Sequence, residues 1–330
     1  MRILRHYSNV AEAARGAVVA VGNFDGIHRG HQAVIAAVRE CARSEGRPAA
    51  VLTFEPHPRS FFRPDLPPFR LTPFRIKARL IEALGVDALF VLRFDAALSR
   101  LTPEAFAEEV LVRGLGVRRV VIGDNFVFGR DRRGDVALLE ALGRQAGFEV
   151  TRLERVRGPG SEIYSSTRIR DYLQAGDPTR AALLLGRYWE IEGRVLHGDR
   201  RGRTLGFPTA NLGLAGYLEP ARGVYAVRAG LEREHDVEWH AGVANLGVRP
   251  TVDGTRLSLE VHLFDFAEDI YGRHLRVALV DHLRPEIKFT GLDLLKAQIA
   301  EDGRRARTIL ASEHWEHGWP TTPFGPPRGE

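Results

Sequence analysis

A chain of 330 residues, 44% hydrophobic and 27% charged, has room for two soluble globular domains with separate cores, and none of its apolar runs approaches the ~20 residues a membrane span requires. The N-terminus has no apolar leader core, and the single cysteine, Cys41, excludes an internal disulfide and fits a reducing cytoplasm. The formal charge of +5 is almost wholly arginine spread along the chain, so no basic block marks a nucleic-acid binder; lysine stands only at 77, 288 and 296, which leaves no Gly-Lys-Ser/Thr phosphate loop and no Val-Ala-Ile-Lys of protein kinases.

The first half alternates strand and helix patterns. Apolar runs predict strands over 18–21, 49–54, 88–93, 117–122 and 148–156, with helices over 32–43, 74–84, 103–113 and 136–146 between them. This alternation argues for an α/β domain with a mostly parallel sheet, covered by helices, that binds ligands beyond the carboxyl ends of its strands. The segments 22–31, 54–59 and 123–126 all follow strands and converge on that rim. Helices over 168–174 and 178–185 come next, and near Gly186 the pattern changes. Short strand-like runs at 188–197, 224–229, 238–244, 257–263 and 275–283 predict a small antiparallel barrel. A final helix over 292–313 offers Leu294, Leu295, Ile299 and Ile309 for packing, and the Pro/Gly-rich tail 319–330 reads as disordered. The boundary falls at 182/183, giving domains 1–182 and 183–318.

Gly22-Asn23-Phe24-Asp25-Gly26-Ile27-His28-Arg29-Gly30-His31, between the first strand and its helix, is the most informative stretch. A glycine-bearing strand-to-helix loop presents backbone N–H groups and a positive dipole end to phosphate. His28 and His31 share one face of the helix start, where imidazoles can donate to phosphate oxygens and stabilise charge in a transition state. A zinc site would need a third ligand, and none stands at a familiar spacing. Plain surface histidines are the other reading, but three glycines around a helix start point to close backbone approach by a ligand. Nucleotidyl transfer is the chemistry that fits.

Eight motifs in series resemble the prokaryotic bifunctional riboflavin kinase/FMN adenylyltransferases, also called bifunctional FAD synthetases: GNFDGIHRGH at 22–31, FEPHPR at 54–59, GDNFVFG at 123–129, YSSTRIR at 164–170, GRTLGFPTANL at 202–212, GVYAV at 223–227, LEVHLF at 259–264 and RPEIKF at 284–289. The resemblance covers nearly the whole chain except the tail. It implies a Rossmann-like nucleotidyltransferase domain, then a six-stranded antiparallel β-barrel riboflavin kinase with a terminal helix. In the first, His28 and His31 contact the ATP phosphates while the FMN phosphate attacks the α-phosphorus. Gly22, Asn23, Phe24 and Asn125 line that site, and Ser165, Ser166, Thr167 and Arg168 form a second phosphate clamp. An ordinary helix N-cap also explains Ser165–Thr167, and Phe54 and Phe126 read equally as core.

For the kinase, the resemblance implies phosphate binding by the loop bearing Gly198, Gly202 and Gly206, with Mg²⁺ held by Thr209 and Asn211. Glu260 becomes the general base toward the ribityl hydroxyl, although spacing alone reads it as an exposed strand carboxylate. Arg284, Glu286 and Phe289 line the flavin pocket. Substrates are riboflavin, FMN and ATP, with no nucleic acid or membrane partner and a monomer or weak homo-oligomer in the cytoplasm. Two departures stand out: Tyr188-Trp189 follow Gly186-Arg187 where the family has Pro-Tyr, and Tyr164 replaces a smaller residue. The competing reading is a single-activity nucleotidyltransferase whose C-terminal half only binds.

Overall fold

The computed structural model describes residues 1–8, 10–158, 162–197, 207–234, 236–251 and 254–311. The described chain forms two compact units: Met1–Pro67 with Thr72–Ser165, and Pro68–Leu71 with the described residues from Ser166 to Ala311.

Among the described residues the first unit has six parallel strands: β1 (Arg2–Leu4), β2 (Val18–Val21), β3 (Ala49–Glu55), β4 (Ala88–Arg93), β5 (Arg119–Gly123) and β6 (Glu149–Leu153). Their order is β1-β4-β3-β2-β5-β6. Every residue of β2 is buried, as expected of a central parallel strand covered on both faces, and this is why it reads as an unbroken apolar run. The chain winds outward from β2 in both directions, so the switch point lies between β2 and β5. Sheets of this kind bind ligands there.

The helix Arg29–Glu45 starts at an N-cap on His28 and ends at left-handed Gly46, burying Ile35, Val38 and Ala42 against the sheet. The helix expected over 103–113 is different: one turn, Pro103–Ala105, runs into a π-helix, Phe106–Leu115. Its buried residues fall in adjacent pairs, Phe106 and Ala107, Val110 and Leu111, Gly114 and Leu115, which repeat every four positions and give it one buried face. Strand β1 was not expected, because it is short, exposed and at the sheet edge.

The second unit opens with helices Ser166–Gln174 and Pro178–Leu185. Its strands are β7 (Trp189–Arg194), β8 (Ala210–Gly213), β9 (Gly223–Glu232), β10 (Val237–Thr251), β11 (Gly254–Leu263) and β12 (His274–Arg284). They form an antiparallel sheet in the order β7-β12-β9-β10-β11-β8. The sheet curls until its edges meet, where Leu196 N–H donates to Asn211 C=O at 2.8 Å. Strand β8 overlaps the end of the motif at 202–212 and has no strand pattern of its own; its pairing with β11 is nonlocal.

The helix Leu292–Leu310 covers one face of this sheet, and Ala306 and Leu310 join Val224, Ala226, Val280 and Leu283 in a core. Leu294 was expected to pack, yet it is 60% exposed. The inward stripe instead follows Leu295, Ile299, Asp302, Ala306 and Leu310 at helical spacing. The boundary read from sequence, 182/183, falls inside the helix Pro178–Leu185 and after the helix Ser166–Gln174; by contact both helices group with the second unit, where Pro178–Leu185 lies against β7 and β12. Trp189, at the departure from the family pattern, is fully buried and donates from Nε1 to Leu71 C=O at 2.7 Å.

Candidate active sites

The loop after β2 is held in an uncommon shape. Phe24 and Ile27 have positive φ of 48° and 43°, sparsely populated for such side chains, and both are buried. Burial and a polar layer beneath hold them there. Gly26 N–H donates to Thr72 Oγ1 at 2.8 Å, and Thr72 N–H donates to Asp25 Oδ1 at 3.0 Å. Gln32 Nε2 donates to Ile27 C=O at 2.8 Å.

His28 is 6% exposed, and its Nδ1 accepts from His31 N–H at 3.3 Å. Neutral His28 therefore carries its proton on Nε2, the nitrogen that can donate to a phosphate. The His28 and His31 rings stack, 3.7 Å apart at 17°. Gly30 permits this, since a Cβ there would come within 3.2 Å of the His28 ring and 3.4 Å of Tyr164 Cβ. Tyr164 thus fills space beside the two histidines, and Ser165 follows it at the end of the first unit. Phe24 is buried, with its ring edge-on to His31 at 5.2 Å, where it packs against that imidazole.

Gly22 and Asn23 open the loop, and Asn125, exposed, follows neighbouring β5 at the switch point. Phe54 and Phe126 are partly buried against the core, and Phe126 stacks on Phe128. An aromatic cluster at the same rim was not foreseen: Phe61, Phe62 and Phe94 meet edge-on at 5.2–5.7 Å, with Phe62 62% exposed. Ser166, Thr167 and Arg168 begin the first helix of the second unit, with Thr167 and Arg168 exposed and the Arg168 guanidinium 5.5 Å from the Tyr172 ring.

In the second unit, a cavity of about 300 Å³ gathers residues far apart in sequence, including Thr209, Asn245, Glu260, His262, Arg284, Glu286 and Phe289. Glu260 lies opposite Asn211 on β8 and opposite Asn245 on β10. Asn211 is 7% exposed; its Nδ2 reaches only Thr209 C=O, at 3.5 Å, and its buried Oδ1 has no hydrogen-bond partner among the described residues. A buried amide oxygen left without a donor suits a cation. Alternation along β11 turns Glu260 and His262 to this cavity and Val261 and Leu263 to a second, of about 330 Å³. Thr209 lines both. The predicted phosphate loop at Gly198, Gly202 and Gly206 and the tail 319–330 lie outside the described residues.

Residues 10–168 match the family model of FAD synthetase, and residues 185–310 match that of riboflavin kinase. A bifunctional riboflavin kinase/FMN adenylyltransferase of Escherichia coli (strain K12) is 44% identical over 311 residues, covering 94% of this chain and 98% of the relative. The chain belongs to the bifunctional riboflavin kinase/FMN adenylyltransferase family. Relatives of the same description from Pseudomonas fluorescens and Bacillus subtilis are 44% and 39% identical, covering 94% and 90% of this chain and 98% and 93% of theirs. A crystal structure from Streptococcus pneumoniae, described as a macrolide-efflux protein, superposes with a TM-score of 0.82 at 30% identity, covering 92% of this chain and 98% of its own. Among the described residues here, no helix is long and apolar enough to cross a membrane.

Family motifs do not account for every residue that builds these sites. Arg284 lines the cavity that also holds Glu260, and its guanidinium is occupied by Asp302 of the final helix: Nε lies 3.0 Å from both carboxylate oxygens and Nη2 lies 2.7 Å from Oδ2. Gln298 Nε2 donates to the same carboxylate at 3.0 Å. This buried pair fixes the helix that supplies Leu295 and Ile299 to the cavity wall. Nothing in the local sequence singles out Asp302, which is one acid among many on an amphipathic helix.

Proposed function

We infer that the chain makes FAD from riboflavin in two ATP-dependent steps, one in each unit. The second unit transfers the γ-phosphoryl group of ATP to the ribityl 5′-hydroxyl, giving FMN. The first transfers AMP from ATP to the FMN phosphate, giving FAD and pyrophosphate. The observation that carries this reading is the presence of two chemically different sites in two compact units: stacked imidazoles at a helix start, and a carboxylate flanked by two asparagines at a cavity.

In the kinase unit, riboflavin occupies the cavity lined by Glu260 and Phe289, and ATP occupies the neighbouring one, with Thr209 at their common edge. Thr209 Oγ1 and the unpartnered Asn211 Oδ1 would hold Mg²⁺, a hard ion that needs few protein oxygens when phosphates and waters complete its shell. Bound there, the ion supplies charge neutralisation to the phosphates. Glu260 takes the proton from the attacking hydroxyl, and the apolar wall of Leu295 and Ile299 excludes water.

In the adenylyltransferase unit, His28 Nε2–H and His31 neutralise charge on the triphosphate, and the exposed loop backbone from Gly22 and Asn23 follows the nucleotide. Asn125 lies near the FMN phosphate, and the aromatic rim of Phe61, Phe62 and Phe94 offers faces to the isoalloxazine. The family motif gives Ser165, at the end of this unit, and Ser166, Thr167 and Arg168, which follow it in sequence and group with the second unit, the role of a second phosphate clamp. Such a reaction needs in-line positioning more than a protein nucleophile. The enzyme works in the cytoplasm as a monomer or weak homo-oligomer, and it needs no nucleic-acid or membrane partner.

The test is chromatography of products from purified protein given riboflavin, ATP and Mg²⁺. FMN followed by FAD is the expected sequence. FAD from added FMN with no FMN from riboflavin favours the single-activity alternative, and turnover of neither flavin refutes both.

A further inference from the structure

Beneath the imidazole loop lies a charge that the reaction as described does not use. Lys77, one of three lysines in a chain that otherwise uses arginine, is fully buried in the helix Phe74–Ala83. An ammonium this deep needs partners. Lys77 Nζ donates to Glu55 Oε1 at 3.1 Å and to Thr53 Oγ1 at 3.4 Å, both at the carboxyl end of β3. The Thr53 hydroxyl passes the contact on, donating to Asn23 C=O at 3.2 Å in the loop that carries His28 and His31. Glu55 leads directly into Pro56 and His57, and His57 Nδ1 accepts from Arg59 N–H at 3.0 Å to start the helix bearing Phe61 and Phe62.

One ammonium therefore ties together the two strand ends from which the site's halves spring: the phosphate-handling loop after β2 and the aromatic rim after β3. We propose that Lys77 is a positioning residue for adenylyl transfer, setting the Gly22–His31 loop against the Glu55–Arg59 segment through Thr53 and Glu55. Being fully buried, Lys77 does not meet substrate; it acts on the alignment of groups that do. In-line attack tolerates little displacement of the reacting groups, so loosening this tie lowers turnover more than it weakens binding. The inference rests on the adenylyltransferase reading of the first unit.

The experiment uses the full chain and follows FAD formation from FMN and ATP, with riboflavin phosphorylation measured on the same preparations as the control. Lys77→Met lowers kcat for FAD formation about 10- to 100-fold while KM for ATP and FMN changes much less and kinase activity is retained. Thr53→Val, nearly isosteric, removes only the hydroxyl relay and lowers kcat in the same way; Thr53→Ser restores it, a rescue that a purely space-filling role does not give. The Lys77→Met/Thr53→Val pair costs less than the product of the single losses, because both act through one link. A folded Lys77→Met protein with kcat within about twofold of the parent overturns the proposal. Equal turnover in the Thr53 valine and serine variants overturns it too, even where Lys77→Met fails to fold. If the parent protein itself makes no FAD, the adenylyltransferase reading falls, whereas normal FAD synthesis by the variants removes the positioning role alone.

Discussion

Replacing Asp302 by alanine tests how the kinase cavity is walled. The Asp302 carboxylate is 3% exposed and the Arg284 side chain 13% exposed, so the pair is largely shielded from water. Alanine removes the acceptor for Arg284 Nε and Nη2 and for Gln298 Nε2 together. Removing one partner of a buried ion pair costs about 3–5 kcal/mol, since the remaining charge is left uncompensated. Arg284 keeps one bond, from Nη1 to Pro285 C=O at 3.0 Å, and borders the cavity. The loss therefore falls at the lower end, about 3 kcal/mol.

Tryptophan fluorescence isolates this effect, because Trp189, Trp239, Trp315 and Trp319 all lie in the C-terminal half. With a urea slope of ~2 kcal/mol/M, the fluorescence midpoint drops by ~1.5 M. Riboflavin KM of the kinase rises as Leu295 and Ile299 lose their anchored helix, while FAD formation from added FMN is unchanged. Replacing both partners, Arg284→Met with Asp302→Leu, recovers much of the stability, because no charge is left stranded. A loss below about 1 kcal/mol for the alanine variant refutes the reasoning, as that is the range of an exposed pair.

His31→Ala abolishes FAD formation but leaves riboflavin phosphorylation intact, and Glu260→Gln does the converse; a product chromatogram of each, with added FMN as substrate for the second, checks both. Gly247→Ala puts a Cβ 2.2 Å from Glu286 Oε1, and because that atom ends a flexible side chain, the carboxylate moves while the strand stays; riboflavin KM rises and the melting temperature holds, and unchanged KM removes Glu286 from the flavin contact. Hydrogen bonding to Arg307 holds the Asp265 carboxyl below the ordinary aspartate value. A depressed folded pKa contributes stability above the unfolded value and loses it as pH falls through the folded one, so the stability gap between the parent and Asp265→Asn is widest near pH ~7 and closes toward pH ~2 in urea titrations. A fragment beginning at Ser166 withstands more urea than one beginning at Gly186, which lacks the helix Pro178–Leu185 and its buried Ala181, Leu184 and Leu185.

What could be read along the chain is what neighbouring residues encode. Apolar runs such as Val18–Val21 announce buried strands, and the spacing of Ile35, Val38 and Ala42 announces a helix face. His28 and His31, three apart at a helix start, must share a side whatever the rest of the fold does. The antiparallel character of the second half was legible for the same reason, from short strands with glycine turns. Strand β1 and strand β8 were not, since each depends on a partner remote in sequence.

Folding alone placed Glu260 between Asn211 and Asn245, left the Asn211 amide oxygen without a donor, and gave Arg284 to Asp302. It also carried Lys77 under the loop that begins at Gly22 and turned Phe24 inward against His31. Propensity and periodicity act over a few turns of chain, whereas burial of a charge or an amide is a property of the three-dimensional neighbourhood, decided by sheet order and register. The candidate reactive groups were therefore visible as motifs, and the buried partners of Lys77 and Asp302 came into view when the strands were assembled.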